Sequence, residues 1–196
     1  MPRLSLLIVA CVVSSSQSFG AEATGSHCRS DEVTYFNCVV EDSEKVASVC
    51  GRELGTRLVE AESYLRYRFG LIGNSEFEFP LDKASPGNVF HFENQATRDG
   101  STQDYFLWFR NGIWIYEIYY REEFENCGET GCSSESSGQA AFVSVWRGLE
   151  AWRTGDESSG LRLKCRNPGE SVLIKTLAEH NFSNAKTKKH IFGGEG

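Results

Sequence analysis

The sequence lacks the short motifs around which common catalytic and nucleotide sites are built. It has no G-x-S-x-G, no H-E-x-x-H, no P-loop and no G-x-G-x-x-G. A nucleophile elbow, a zincin helix and the usual phosphate cradles are therefore not indicated. There is no C-x-x-C, so nothing points to a zinc ribbon or a redox dithiol. Histidine is scarce: His27, His91, His180 and His190 are scattered. His91 stands in the alternating run Asn88-Val89-Phe90-His91-Phe92 and reads as a strand-face residue. His27 adjoins Cys28, a metal pair only if that thiol stays reduced. Beyond the N-terminus no run approaches the ~18 apolar residues of a membrane span. Basic residues form no stripe, and the formal charge is −7. This acidity repels nucleic-acid phosphates. It reads first as solubility and second as steering toward a cationic partner. No internal repeat is visible. The reading is thus of a non-enzyme with no cofactor, no metal and no nucleic-acid partner.

What is present begins with an export signal. Met1-Pro2-Arg3 precedes an apolar run at 4–13 and then Ser14-Ser15-Ser16, the three-part grammar of a secretory leader. Cleavage before Ala21 or before Thr24 satisfies the small-residue rule, so residues 1–23 are assigned to the signal. A lipobox-like alternative, Ile8-Val9-Ala10-Cys11, would instead place a lipid anchor on Cys11. The expected location is exported, periplasmic or secreted. Residues 24–179 then form one domain, large enough for its own core. Residues 180–196 carry little apolar content and read as a disordered tail, with Lys186, Lys188 and Lys189 solvated.

Removal of the leader leaves Cys28, Cys38, Cys50, Cys127, Cys132 and Cys165. Six cysteines in an exported chain imply disulfides. Cys127 and Cys132 are separated by four residues and suit a local bridge. Cys38 and Cys50 flank a turn at 41–44. In that hairpin Cys38 faces Ala47, about 10 Å along the strand from the partner of Cys50. That exceeds the roughly 7 Å limit between Cα atoms for a disulfide. Both cysteines are therefore expected to reach outside the hairpin, to Cys28 and Cys165.

Strand patterns dominate. Segments 33–40 and 45–50 flank the turn at 41–44. Segments 64–69 and 76–79 alternate aromatic and charged residues. Pairing them so that Leu65 meets Phe79 and Tyr67 meets Phe77 sets Arg66 against Glu78 and Arg68 against Glu76. Those charges read as solvent-exposed cross-strand pairs. Asn111-Gly112 separates 103–110 from 113–120 and suggests a type I′ hairpin. Its register opposes Phe109 to Trp114, Leu107 to Tyr116 and Tyr105 to Ile118 on an apolar core face, so Trp114 is expected to be buried. The other face mixes Phe106, Trp108, Ile113 and Ile115 with Arg110 and Glu117. Eight of the 24 aromatic residues lie between Tyr105 and Tyr120, which makes this hairpin the centre of the fold. A Gly/Ser/Glu-rich connection at 122–139 follows, then strands at 141–146, 149–154 and 161–165, and a short helix at 171–179. The expected fold is all-β, a single antiparallel β-sandwich or barrel of about 8–9 short strands, disulfide-linked.

Phe36-Asn37-Cys38, the run from Lys45-Val46 to Val49-Cys50-Gly51, and Tyr64-Leu65-Arg66-Tyr67-Arg68-Phe69-Gly70 resemble a scattered group of small exported bacterial proteins. That group shares an F-x-C, a K-x-x-x-V-C hairpin, a Y-x-Y-x-F-G strand and a late L-x-C like Leu163-Lys164-Cys165. The likeness implies no particular activity, and Cys127 and Cys132 depart from its pattern. A looser similarity, to periplasmic lysozyme inhibitors, is architectural only.

Function is read in three ways. The first is a non-catalytic binding or inhibitor module of the cell envelope, taking an envelope protein or a glycan. Its candidate surface is Phe106, Trp108, Ile113 and Ile115, an apolar patch if solvent reaches it. The second is a glycan-acting hydrolase using a carboxylate pair. The third is a purely structural envelope protein.

Overall fold

In the computed structural model, which describes residues 25–52, 64–82, 89–127, 132, 136–166 and 168, the alternating segments form two antiparallel sheets. The expected leader at 1–23 with Cys11, the helix at 171–179 and the tail at 180–196 lie outside the described residues. The first sheet contains β1 (Val33–Val39), β2 (Lys45–Gly51), β3 (Leu65–Leu71) and β4 (Asn74–Phe79) in sequential order. The second contains β5 (Phe90–Ala96), β6 (Thr102–Asn111), β7 (Trp114–Phe124), β8 (Ser136–Arg147) and β9 (Gly160–Lys164), also in order. The two sheets face each other across one core, as an antiparallel β-sandwich.

Both aromatic hairpins keep their expected faces but slide in register by two residues. In β6–β7 the observed pairs are Phe109 with Tyr116 and Asn111 with Trp114. The turn is therefore Gly112-Ile113, not Asn111-Gly112. Gly112 has φ 61°, whereas Asn111 stays at negative φ. A two-residue turn with glycine first needs positive φ at only one position, the type II′ requirement. Because side chains alternate with period two, a two-residue slip moves pairs but flips no faces. Trp114, expected to be buried against Phe109, is carried to the end of the sheet and is 40% exposed.

The β3–β4 hairpin slides likewise. Tyr67 meets Phe79 and Phe69 meets Phe77, with an irregularity at Gly70. A Cβ on Gly70 would lie 2.6 Å from the Glu76 nitrogen, so glycine permits the bulge. The expected Arg68–Glu76 pair is replaced: Arg68 faces Glu78, and Glu76 binds Lys45 Nζ at 2.7 Å.

Segment 149–154 is helical, contrary to the expected strand. It forms α1 (Leu149–Thr154), entered through Gly148 at φ 90° and closed by Gly155 at φ 66°. Leucine, glutamate, alanine and arginine are good helix formers, and a left-handed glycine ends the turn. The long connection expected at 122–139 is shorter, because β7 and β8 extend into it.

Cys38 joins Cys165 and Cys28 joins Cys50, with Cα atoms 5.2 Å apart in each pair. Cys127 joins Cys132. Cys38 faces Ala47, as the turn at 41–44 requires. The Cys38–Cys165 bond crosses from β1 to the end of β9. Beside it, the Glu41 N–H donates to the Lys164 carbonyl and the Arg166 N–H to the Val39 carbonyl, both at 2.8 Å. One corner of the sandwich, where the end of β1 meets the end of β9, is thus closed by backbone bonds and a disulfide. Between the sheets, Phe77 stacks on Tyr116 and Phe79 on Phe109, each with ring centroids 4.7 Å apart. Such pairs contribute about 0.5–1.5 kcal/mol beyond their burial.

Candidate functional site

The outer face of β6 and β7 carries the residues first considered for partner binding. Period-two alternation does put Trp108 and Ile115 on that face, but α1 lies over it. Trp152 of α1 packs its ring 4.7 Å from that of Trp108. Its indole N–H donates to Glu117 Oε2 at 2.6 Å. Ile115, Trp146 and Trp152 are buried together, with Trp108 against them. His91 of β5 stacks on Trp108 at 4.0 Å. Burial lowers the pKa of His91, so its ring is neutral at pH 7. Phe106 is also buried, farther along β6, with its ring 5.1 Å from Tyr119. Ile113 stands alone in the hairpin turn, 54% exposed. The four residues therefore do not form one open patch. For Trp108 and Ile115 the physical reason is the helix that the β-like reading of 149–154 hid, and Ile113 is set apart by the slip that puts it in the turn.

An opening lies on the other side of the same sheet. At the end of the sandwich near the β6–β7 turn, the two sheets leave a gap of about 630 Å³. Tyr67, Phe69 and Phe77 wall it from the first sheet. Tyr116, Val143, Val145 and Leu163 wall it from the second. Trp114 and Leu161 stand at its rim, 40% and 55% exposed. Residues 158–160 and Arg147 complete the lining. The volume and the aromatic walls are those of a small-molecule pocket.

Its electrostatics are simple. Burial raises the pKa of Tyr67, with the Tyr116 hydroxyl nearby adding to it, and burial raises that of Tyr116. Both phenols are therefore neutral at physiological pH. Among the described residues no carboxylate lines the gap, and Arg147 is the one charged residue that does. Ser158 and Ser159 are already engaged, their hydroxyls donating to Asp156 at 2.6 and 3.0 Å. The described lining residues offer apolar contact and one cation, and no nucleophile–base pair is among them.

Arg147 is the residue sequence reasoning missed, and a signal for it exists. Val143, Val145 and Arg147 share one strand phase, the phase that faces the core. A charge that continues a core-facing phase at a strand end marks a place where the core is open. Trp114 is its cross-strand partner and reaches this rim only through the two-residue slip.

Elsewhere the candidate groups serve structure. Cys28 is oxidised, and His27 Nε2 lies 3.1 Å from the Gly70 carbonyl. Glu122 is a buried carboxylate at 6% exposure, accepting from the hydroxyl of Tyr105 at 3.3 Å. It does not line the gap. Among the described residues no three His, Cys, Asp or Glu side chains gather as a metal site, and no helix is long and apolar enough to cross a membrane.

No protein-family model, curated protein or solved structure matches this chain.

Proposed function

We propose that this chain is an exported, non-catalytic binding module of the cell envelope, and that it takes an apolar ligand between its two sheets. The observation that carries the reading is the aromatic-walled gap of about 630 Å³, open at the β6–β7 end. A core of this composition closes on itself when nothing needs to enter, because unfilled apolar space forfeits dispersion contacts. Three disulfides suit an oxidising compartment. They also hold the sandwich while its end stays open. The residues that resemble the exported bacterial group, Phe36, Val49 and Tyr67, are buried in the core. They serve the scaffold and leave the choice of ligand to the pocket walls.

The test is saturable uptake of an environment-sensitive apolar fluorophore by the folded chain. Val145→Trp fills the gap and Leu161→Asp puts a charge on its exposed rim. Both are expected to weaken uptake at least tenfold with the circular dichroism spectrum unchanged. Leu161 is exposed, so its variant folds even if the Val145 variant does not. Wild-type uptake by folded Leu161→Asp would overturn the reading.

A further inference from the structure

Resting on the pocket reading above, we infer that the occupant is a monomeric single-chain amphiphile with an anionic head. Its chain lies between the sheets and its head pairs with Arg147. Three observations converge. The walls are mainly aromatic and aliphatic, with the polar groups gathered at Arg147 and residues 158–160, which suits a chain of methylenes. The charge is segregated, because among the described residues the one ionised lining residue is exposed Arg147 beside Trp114 at the mouth. Arg147 makes no ion pair among the described residues, a state it shares with other arginines such as Arg110 and Arg153, but it is the one of these that lines the gap. A guanidinium left without a carboxylate at the lip of an apolar slot matches a carboxylate, sulfate or phosphate head in geometry and sign.

The net charge decides between a free amphiphile and a lipid surface. At −7 overall, the chain is repelled by an anionic bilayer, while one anionic head beside Arg147 meets a local cation. The favoured ligand is thus a dispersed molecule rather than a membrane. A cationic amphiphile would place its head against Arg147 and is disfavoured for that reason.

Titration calorimetry with three twelve-carbon probes tests this, each below its micelle concentration: dodecanoate, dodecanol and dodecyltrimethylammonium. The expected order is dodecanoate, then dodecanol, then the ammonium, with dodecanoate favoured over the ammonium by about tenfold or more, the scale of a charge-assisted contact. Arg147→Gln should bring dodecanoate down to dodecanol, and Arg147→Glu should reverse the preference. Arg147 is exposed, so both variants are expected to fold. Equal binding of all three probes, or no response to either substitution, overturns the head-group assignment and leaves the pocket standing. Binding of none of them overturns the pocket reading itself. Association with anionic vesicles without uptake of free dodecanoate would assign the surface to membranes. A dimer that dissociates as dodecanoate is added would assign the gap to a second copy of the chain. Either result overturns the inference.

Discussion

The two sheets of this sandwich cover their outer faces by opposite chemistry. The outer face of β1–β3 is sealed by residues 25–32 through charge and hydrogen bonds. Arg68 donates to Glu32 with both nitrogens of its fork, at 2.6 and 2.9 Å. Tyr64 donates to the same carboxylate at 3.0 Å. The His27 N–H reaches the Ser48 hydroxyl at 3.1 Å, and Cys28–Cys50 fastens the segment covalently. The outer face of β6–β8 is sealed by α1 through aromatic packing, with the Trp152–Glu117 bond as its polar anchor. In both cases a short segment lying off the sheet buries what the alternation pattern assigns to solvent or to a partner. Arg66 and Arg68, expected to be exposed, are 8% and 3% exposed. Arg66 reaches Glu78 at 2.6 Å along the diagonal and also donates to the Leu81 carbonyl. The lesson is that a mixed polar–apolar strand face does not reveal whether solvent meets it.

The largest expected effect belongs to the polar cover. Glu32→Gln removes the closer of the two carboxylates that hold the buried Arg68 guanidinium, the Glu32 and Arg68 side chains being 0% and 4% exposed, and leaves Glu78, 3.5 Å from the Arg68 Nε, as its remaining counter-charge. Breaking such a pair costs about 3–5 kcal/mol, read from denaturant melts. The loss also carries a pH signature. Burial opposes the charge on Glu32, but hydrogen bonds from Arg68, the Arg29 N–H and Tyr64 outweigh it and pull its pKa down to about 2. A depressed folded-state pKa gives stability that is present above the unfolded-state value and lost as pH falls toward the folded one. Wild-type stability should therefore drop between pH 4.5 and about 2, and Glu32→Gln should lack that part of the slope. An unchanged acid profile would mean that residues 25–32 do not hold this face.

The aromatic cover should respond next. Trp152→Ala empties the space above Ile115 and removes the Glu117 contact, at a cost of about 3 kcal/mol. It should retain the wild-type acid slope, which separates the two covers by mechanism. Loss of the slope in this variant would show that the faces are coupled.

The smallest pair of effects tests the slipped hairpin. Trp108→Ala, stripped of its contacts to Trp152 and His91, should cost about 2 kcal/mol, less than a fully buried tryptophan. Trp114→Ala should cost under about 1 kcal/mol, because the ring sits at an open rim. That ranking reverses the one implied by a turn at Asn111-Gly112. Melts that rank Trp114 above Trp108 would restore the unslipped register.

Much of the fold was legible because strand alternation is strictly periodic. Segments 33–40, 45–50, 64–69 and 141–146 lie where the pattern places them, and their inward faces meet in one core. The reach of Cys38 and Cys50 beyond their hairpin was legible as well, since turn length and strand rise fix what can touch. Register was not. Both turns offered competing glycine-containing closures, and a slip of two residues preserves every face, so hydrophobic patterning cannot separate them. Segment 149–154 was misread because six residues are too short to show a period: Ala151 and Trp152 are adjacent and both buried, and only the glycines at its two ends mark it as about one and a half helical turns. The pocket was the least legible, since its walls are ordinary core residues by type and phase. Arg147 keeps that phase and departs from it only in type, as a charge where the strand pattern places an apolar residue.

The sequence by itself determined the class of the molecule: antiparallel strands, their faces, and cysteines placed to staple them. These follow from short-range geometry, which a one-dimensional pattern carries. Only the tertiary structure decided which faces solvent sees, where α1 and residues 25–32 come to rest, and that the sheets part at one end around Arg147. Those outcomes depend on contacts between segments up to 127 residues apart, as in the Cys38–Cys165 link. The free energy of covering a face depends on what arrives there, and no local pattern encodes that arrival.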